Sequence, residues 1–336
     1  MVAQTVGVSL APADTVPAVR ALPRARGPLS EGLLDLLTGA SSSLPRVGAP
    51  DPYGDDLQLA LHLAYELHYR PLPGVDPELE WDPAVLGFRR QLERPFLAAP
   101  RADVAGGDDV DAVLAPLLRE PVDGSGPSWH LSRTGTVEQL REYVAHRSVY
   151  HLKEADPQAW VVPRLDGQAK ASLVTVQHDE YGGGRADRMH ARLFADMMLE
   201  LDLDPAYGGF VDAAPAATLA LVNLMSMAGL HRALLGAAVG QFVMIEVTSS
   251  PGSRRLSQAF ARLSAGTAGQ RFYDEHVEAD AVHEQLLRRG LDDLLSREPA
   301  LAADVVLGVQ AGLLLEDRFG DHVLACWEAG RPSLRS

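Results

Sequence analysis

The sequence predicts an all-α protein. Three observations carry that prediction. Apolar residues recur at helical spacing through most of the chain, the stretch from about residue 215 to 250 is apolar nearly all round, and no β-rich segment is longer than LVTV. No repeat of fixed period interrupts the pattern. With 336 residues, 46% of them hydrophobic, and a mean hydropathy of −0.04, the chain can bury a large core in one domain or two.

Residues 1–28, rich in Ala, Pro, Val and Arg, have no sustained period and are expected to form a flexible leader. Residues 29–135 read as an N-terminal helical extension packing on the core. Helical patterning starts at LSEGLLDLLTG and resumes in DLQLALHLAYELHY after a turn-rich stretch. A further helix turns Leu86, Phe88, Leu92 and Phe96 inward, DVDAVLAPLLRE reads as another, and VDGSGPSWHLSRTG reads as a loop. The core region, 136–336, opens with a helix in TVEQLREYVAHRSVYHLKEAD, capped by Thr136 and stopped by Pro157. Three consecutive glycines then break the helical pattern at 182–184. The apolar stretch PAATLALVNLMSMAGLHRALLGAAVGQFVMIEVTSS reads as one central buried helix, followed by a helix at about 268–289 and a long closing helix.

Composition narrows the function. A net charge of −15 and a pI near 5.1 oppose binding to nucleic acid or an anionic lipid surface. The single cysteine, Cys326, excludes a disulfide framework and any Cys-rich zinc or iron–sulfur site, so metal ligands must come from His, Asp and Glu. With no signal-peptide pattern and no continuous apolar run of about 18 residues, the expectation is a cytoplasmic protein without a membrane partner.

Carboxylates and histidines fall on the helices expected to face inward. At 100° per residue, His276, Asp280 and His283 of FYDEHVEADAVHEQ line one stripe roughly 10 Å long. Glu154 ends one helix, Glu180 and His190 flank the triple glycine, and Glu246 interrupts FVMIEV, where a lone charge requires a metal or an arginine opposite. Two ligand patterns fit. A ferritin-like arrangement uses Glu154, Asp187-x-x-His190, Glu246 and Asp280-x-x-His283. The other replaces Asp187 by Glu180 and adds His276. It needs a bend at 182–184, because Glu180 and His190 would lie about 15 Å apart on a straight helix. Oxygen and imidazole donors without thiolate suit iron or manganese, and zinc less specifically.

These residues resemble a known family, the haem-oxygenase-like diiron oxidases and oxygenases, often labelled iron-containing redox enzymes. Its ligand order is a Glu, a Glu followed ten residues later by a His, a lone Glu, then H-x3-D-x2-H. Glu154, Glu180 with His190, Glu246, and His276, Asp280 and His283 match that order. HRSVYHLKEADP, PRLDGQAKASL, DEYGGG, NLMSMAGLHRALLGA and EVTSS extend the resemblance over about 55–335. It implies a haem-oxygenase-like helical bundle holding two ferrous ions that reduce dioxygen, with a small-molecule substrate undergoing N-oxygenation, desaturation or C–C cleavage. Glu154, His190, His283 and Asp280 would hold one iron and Glu180, Glu246 and His276 the other, with no catalytic residue beyond the ligands. Arg147, His151, Lys153, Tyr181 and His178 are candidates to support them. An external electron donor and a homodimer are further expectations. Two alternatives stay open: a metal-binding or iron-storing protein without turnover, and haem binding through His62, His68 or His231.

Overall fold

The computed structural model describes residues 21–120 and 123–336, with the backbone alone at 280 and 281. Among the described residues there is no strand. Helices α1 (Pro28–Leu37), α2 (Asp55–Glu66), α3 (Pro83–Asp103), α4 (Val110–Leu114) and α5 (Pro127–Arg133) precede the core region. Two of them start where sequence dictates: Asp82 accepts from the amides of Ala84 and Val85 ahead of Pro83, and Asp109 caps α4. On α3 it is Val85, Phe88, Leu92 and Phe96 that are buried, while Leu86 is only half-buried. The segment expected as a loop at 123–135 contains α5, which a proline at its first position helps to start.

The core continues with α6 (Val137–His151), α7 (Asp156–Ala159), α8 (Gly167–Glu180), α9 (His190–Glu200), α10 (Ala216–Leu230), α11 (Leu235–Leu263), α12 (Ala268–Arg297) and α13 (Ala302–Glu328). A capping box opens α6: Gln139 N–H donates to the Thr136 hydroxyl at 3.3 Å, and Thr136 N–H donates to Gln139 Oε1 at 3.0 Å. The apolar stretch expected as one helix is two, α10 and α11. His231 leaves the helical region at φ −100°, ψ 113°, and the Arg164 guanidinium takes up the freed carbonyls of Gly229 and Leu230. The helix expected at about 268–289 runs two turns further, to Arg297.

The long helices α11, α12 and α13 form the centre, and α8, α9 and α10 pack around them. Small residues set the closeness of α11 to α13. A Cβ at Gly240 would lie 2.2 Å from the Val305 carbonyl oxygen, and one at Gly308 would lie 2.1 Å from that of Ala237. By length and composition two helical stretches, Arg232–Leu263 and Pro299–Glu328, are long and apolar enough to cross a membrane, although neither is free of polar residues. In the fold both pack in the bundle, with 67% and 39% of their most apolar windows buried.

The N-terminal helices share one continuous buried cluster with the rest, running from Leu33 and Leu61 through Phe96 and Phe194 to Phe319. Asn223 of α10 donates to both the backbone and side-chain oxygens of Gln58 on α2 at 2.8 Å. Of the segment expected to be a flexible leader, residues 1–20 lie outside the described residues. The remainder is tied down: Arg24 pairs with Asp212 at 2.7 Å, and Arg26 donates to the Val211 carbonyl at 2.6 Å.

Two consequences can be measured. Gly240→Ala forces α11 away from α13 and is expected to lower the unfolding free energy by about 1–3 kcal/mol in denaturant titration; an unchanged midpoint would mean the helices do not approach this closely. Burial pushes the imidazole of His62 down to about 4 and that of His146 down to about 3. An unfolded imidazole takes up a proton near pH 6.5, so stability is complete above that value and falls as the pH drops towards 4. The loss is about 2 kcal/mol per histidine near pH 5. His146→Gln is expected to flatten the fall of melting temperature between pH 6.5 and 5, and an equally steep fall in the variant would rule His146 out as a source.

Candidate metal centre

Each candidate ligand sits where a helix ends, begins or crosses another. Glu154 lies just past the end of α6, in a turn completed by Ala155 at φ 71°, a left-handed conformation that costs a non-glycine residue energy. Three contacts hold that turn. Buried Lys153 points away from the cluster to Glu66 of α2, Gln177 donates to the Ala155 carbonyl at 3.1 Å, and the Tyr181 hydroxyl donates to Asp156 at 3.0 Å.

Glu180 ends α8 and His190 starts α9. Between them Gly182, Gly183 and Gly184 all take positive φ, and a Cβ at Gly182 would lie 2.6 Å from the amide nitrogen of Met189. The chain doubles back there. It brings His190 Nδ1 to 2.9 Å from Glu180 Oε2, so the bend that the second ligand pattern requires is present.

Glu154, Glu180, His190, Glu246, His276 and His283 are all buried. They form overlapping groups whose donor atoms lie within 4.8 Å of one another: His151, Glu154 and His276; Glu154, Glu180 and His190; Glu180, Glu246 and His283. Glu154 and Glu180 are each shared by two groups. Asp280 lies by spacing on the same stripe of α12, but its side chain is outside the described residues. Asp187 is not in the cluster; it is exposed and paired with Arg185 at 2.8 Å, which removes the ferritin-like pattern.

The division between two sites differs from the one the resemblance implies. His276 Nε2 is 3.5 Å from Glu154, and its ring centre is 4.4 Å from that of His190. His283 Nδ1 is 3.1 Å from Glu246 and 3.6 Å from Glu180. His276 therefore groups with Glu154 and His190, and His283 with Glu180 and Glu246. The reason is linear: the two histidines are two turns, roughly 10 Å, apart on α12, which runs along α11 and meets the Glu154 turn at His276 before it reaches Glu180 and Glu246 at His283.

Surrounding groups orient these donors. His276 Nδ1–H donates to the Phe272 carbonyl at 2.8 Å, which fixes the tautomer and turns Nε2 towards Glu154. Burial alone would push the Glu154 carboxyl up, but the imidazoles of His151 and His276 outweigh it and hold the group below the usual carboxylate range. Burial and then the carboxylates of Glu154, Glu180 and Glu246 push the Tyr150 phenol well up, so its proton stays in place beside the cluster. Of the expected supporting residues, Arg147 pairs with Glu316 at 2.7 Å, and His178 is exposed. His151 does more than support: it stands 2.7 Å from Glu154 as a potential donor. Sequence reasoning missed Tyr150 and also Asp179, whose carboxylate lies 3.3 Å from His283 Nε2.

These residues fit a metal. Glu154 Oε2 is buried without a hydrogen bond, Glu180 Oε2 and His190 Nδ1 face each other at 2.9 Å without hydrogen-bond geometry, and no Lys or Arg among the described residues pairs with Glu154 or Glu180. Carboxylates gathered this closely in low dielectric need a cation. The donor set is oxygen and imidazole, as iron accepts; Cys326 lies elsewhere, 3.9 Å from His322. The histidines considered for haem are engaged outside the cluster: His62 lies 3.6 Å from Glu66, His68 3.1 Å from Glu80 and His231 3.0 Å from Glu93. A cavity of about 300 Å³ borders the cluster at His151 and His276 and continues between α6, α11 and α12.

An all-α, haem-oxygenase-like bundle with a buried Glu/His cluster able to hold iron defines a class, that of helical redox iron proteins. The chain belongs to the iron-containing redox enzyme family, whose sequence pattern matches residues 141–317, more than half of its length. A search of curated proteins finds no match.

Because Glu180 belongs to two of the three groups and Asp187 to none, Glu180→Ala is expected to remove most of the iron retained after desalting. Asp187→Ala is expected to leave it unchanged, with the same helical circular dichroism in both variants. Equal iron retention would detach Glu180 from metal binding.

Proposed function

We propose that the protein is a non-haem diiron oxidase or oxygenase that uses dioxygen to oxidise a small organic metabolite by N-oxygenation, desaturation or C–C cleavage. The observation that carries this reading is the chain of overlapping donor groups, with Glu154 and Glu180 between a His151/His276/His190 end and a Glu246/His283 end. That set has ligands enough for two ions sharing carboxylates. Asp280 joins by the resemblance. Ferrous iron bound there supplies the electrons that dioxygen takes up.

The chain's own residues do the rest. The substrate occupies the cavity of about 300 Å³, within the range of small-molecule sites. Its wall near the cluster is apolar and aromatic, with Met225, Met244, Leu256 and Phe272, which keeps water from the reacting centre. Its polar groups orient the substrate: the Tyr273 hydroxyl is buried without a hydrogen bond, and the Arg147–Glu316 pair borders the same space. Tyr150, hydrogen-bonded by Gln158 at 3.2 Å and kept protonated by burial and the carboxylates, can offer its hydroxyl as a hydrogen-bond donor to an oxygen that gains charge nearby. In this reading the protein is cytoplasmic, draws electrons from an external donor, and engages neither nucleic acid nor membrane.

The test is anaerobic loading with ferrous iron, counting metal per chain, followed by rapid mixing with oxygenated buffer. Two irons per chain and rapid oxygen consumption with a transient visible absorption are expected. Iron uptake without oxygen consumption would leave a binding or storage protein instead.

A further inference from the structure

The cluster has a second cavity on its other side. It is lined by Gln158, Leu173, Ala238, Phe242, Leu287 and Gly290, among others, and shares no residue with the substrate cavity. Its position follows from helical spacing. Phe242 is one turn before Glu246 on α11, Leu287 one turn after His283 on α12 and Leu173 two turns before Glu180 on α8, while Gln158 reaches it from α7, just beyond the turn at Ala155. The helix faces that present the ligands thus continue into the walls of this cavity. Along α11 and α12, which supply both walls, the substrate cavity lies on the Ile245–Leu256 and Phe272–His276 side and the second cavity on the Ala238–Phe242 and Leu287–Leu291 side.

Its size and chemistry select the occupant. At about 20 Å³ it has room for one or two molecules of water size, and no organic substrate fits. Gln158 is its only polar side chain. The Gln158 amide nitrogen is committed to the Tyr150 hydroxyl, so this residue offers at most its buried oxygen, whereas a trapped water needs two to four polar partners. A cavity of this kind favours a small apolar molecule over water, and Gln158 and Tyr150 link it to the carboxylate cluster.

We propose that this cavity binds dioxygen and passes it to the cluster, separately from the cavity that takes the organic substrate. The proposal rests on the oxygen-dependent reading above and adds the route by which oxygen arrives.

Xenon is the probe, since it seeks the same small apolar spaces. In xenon-pressurised crystals of the full chain, a xenon atom is expected between Leu173, Phe242 and Leu287, and Ala238→Leu is expected to displace it. In the ferrous-loaded protein, Ala238→Leu is expected to slow the second-order reaction with oxygen by about tenfold, leaving iron content unchanged. Adding Leu173→Ala restores the space and is expected to restore the rate. Should Ala238→Leu not fold, Ala169→Val fills the same cavity from α8. No xenon at the site, or an oxygen rate unaffected by filling it, overturns the proposal. If xenon binds but the wild-type ferrous protein does not react with oxygen at all, it is the oxygen-dependent function that fails, and the named occupant with it.

Discussion

The constraint on which the structure turns is the burial of Glu154, Glu180 and Glu246 within reach of one another and of several imidazoles. Carboxylates brought together in a helical interior repel and lose their hydration, so the site is stable only with compensating charge. Imidazoles supply part of it: Glu154 is held ionised by His151 and His276 in spite of its burial. The Glu154 oxygen left buried without a hydrogen bond indicates that imidazoles are not the whole answer. An iron-containing family and an oxygen and nitrogen donor set supply the remaining element.

Much of the rest of the fold can be understood as what holds those charges in place. The turn bearing Glu154 is strained at Ala155, and a buried ion pair from Lys153 to Glu66 anchors it, with Tyr207 donating to the second Glu66 oxygen at 2.5 Å. Glu66 belongs to α2, which precedes the stretch matched by the family pattern. The N-terminal helices therefore complete the support of a ligand that the core carries. A break in that pair would leave a charge buried without its partner, a far larger penalty than the loss of a surface salt bridge.

The helical class was legible in the sequence because periodicity is a local property, and the resemblance named, Asp280 apart, carboxylates and histidines that the fold buries together. The bend was legible too: glycines 182–184 and the distance between Glu180 and His190 on a straight helix required it, and three positive φ angles provide it. What sequence could not reveal depends on where helices stop and which turn meets which neighbour. His151 reads only as a supporting group until α6 stops there and leaves it 2.7 Å from Glu154. The division of α10 from α11 depends on Arg164, more than sixty residues earlier, capping Gly229 and Leu230. Likewise the grouping of His276 with Glu154 follows from the order in which α12 passes its neighbours, which spacing along one helix does not contain.

The placement of the cavities follows from the same geometry. Because α11 and α12 run side by side and carry ligands near the middle of their contact, space can open only beyond those ligands in one direction or the other. In one direction the helices carry Thr248, Ser249, Tyr273 and an adjoining Arg147–Glu316 pair, a wall that can orient a polar molecule. In the other they carry Ala238, Phe242, Leu287 and Leu291, while Gly290 lets α8 approach α12 so closely that its missing Cβ would lie 2.9 Å from Ser172. That close approach is what makes the second space narrow. Under the proposed function, a centre that meets an organic molecule and a small apolar gas without admitting bulk water is served by such an asymmetry, and it arises here from which residues follow the candidate ligands along two helices.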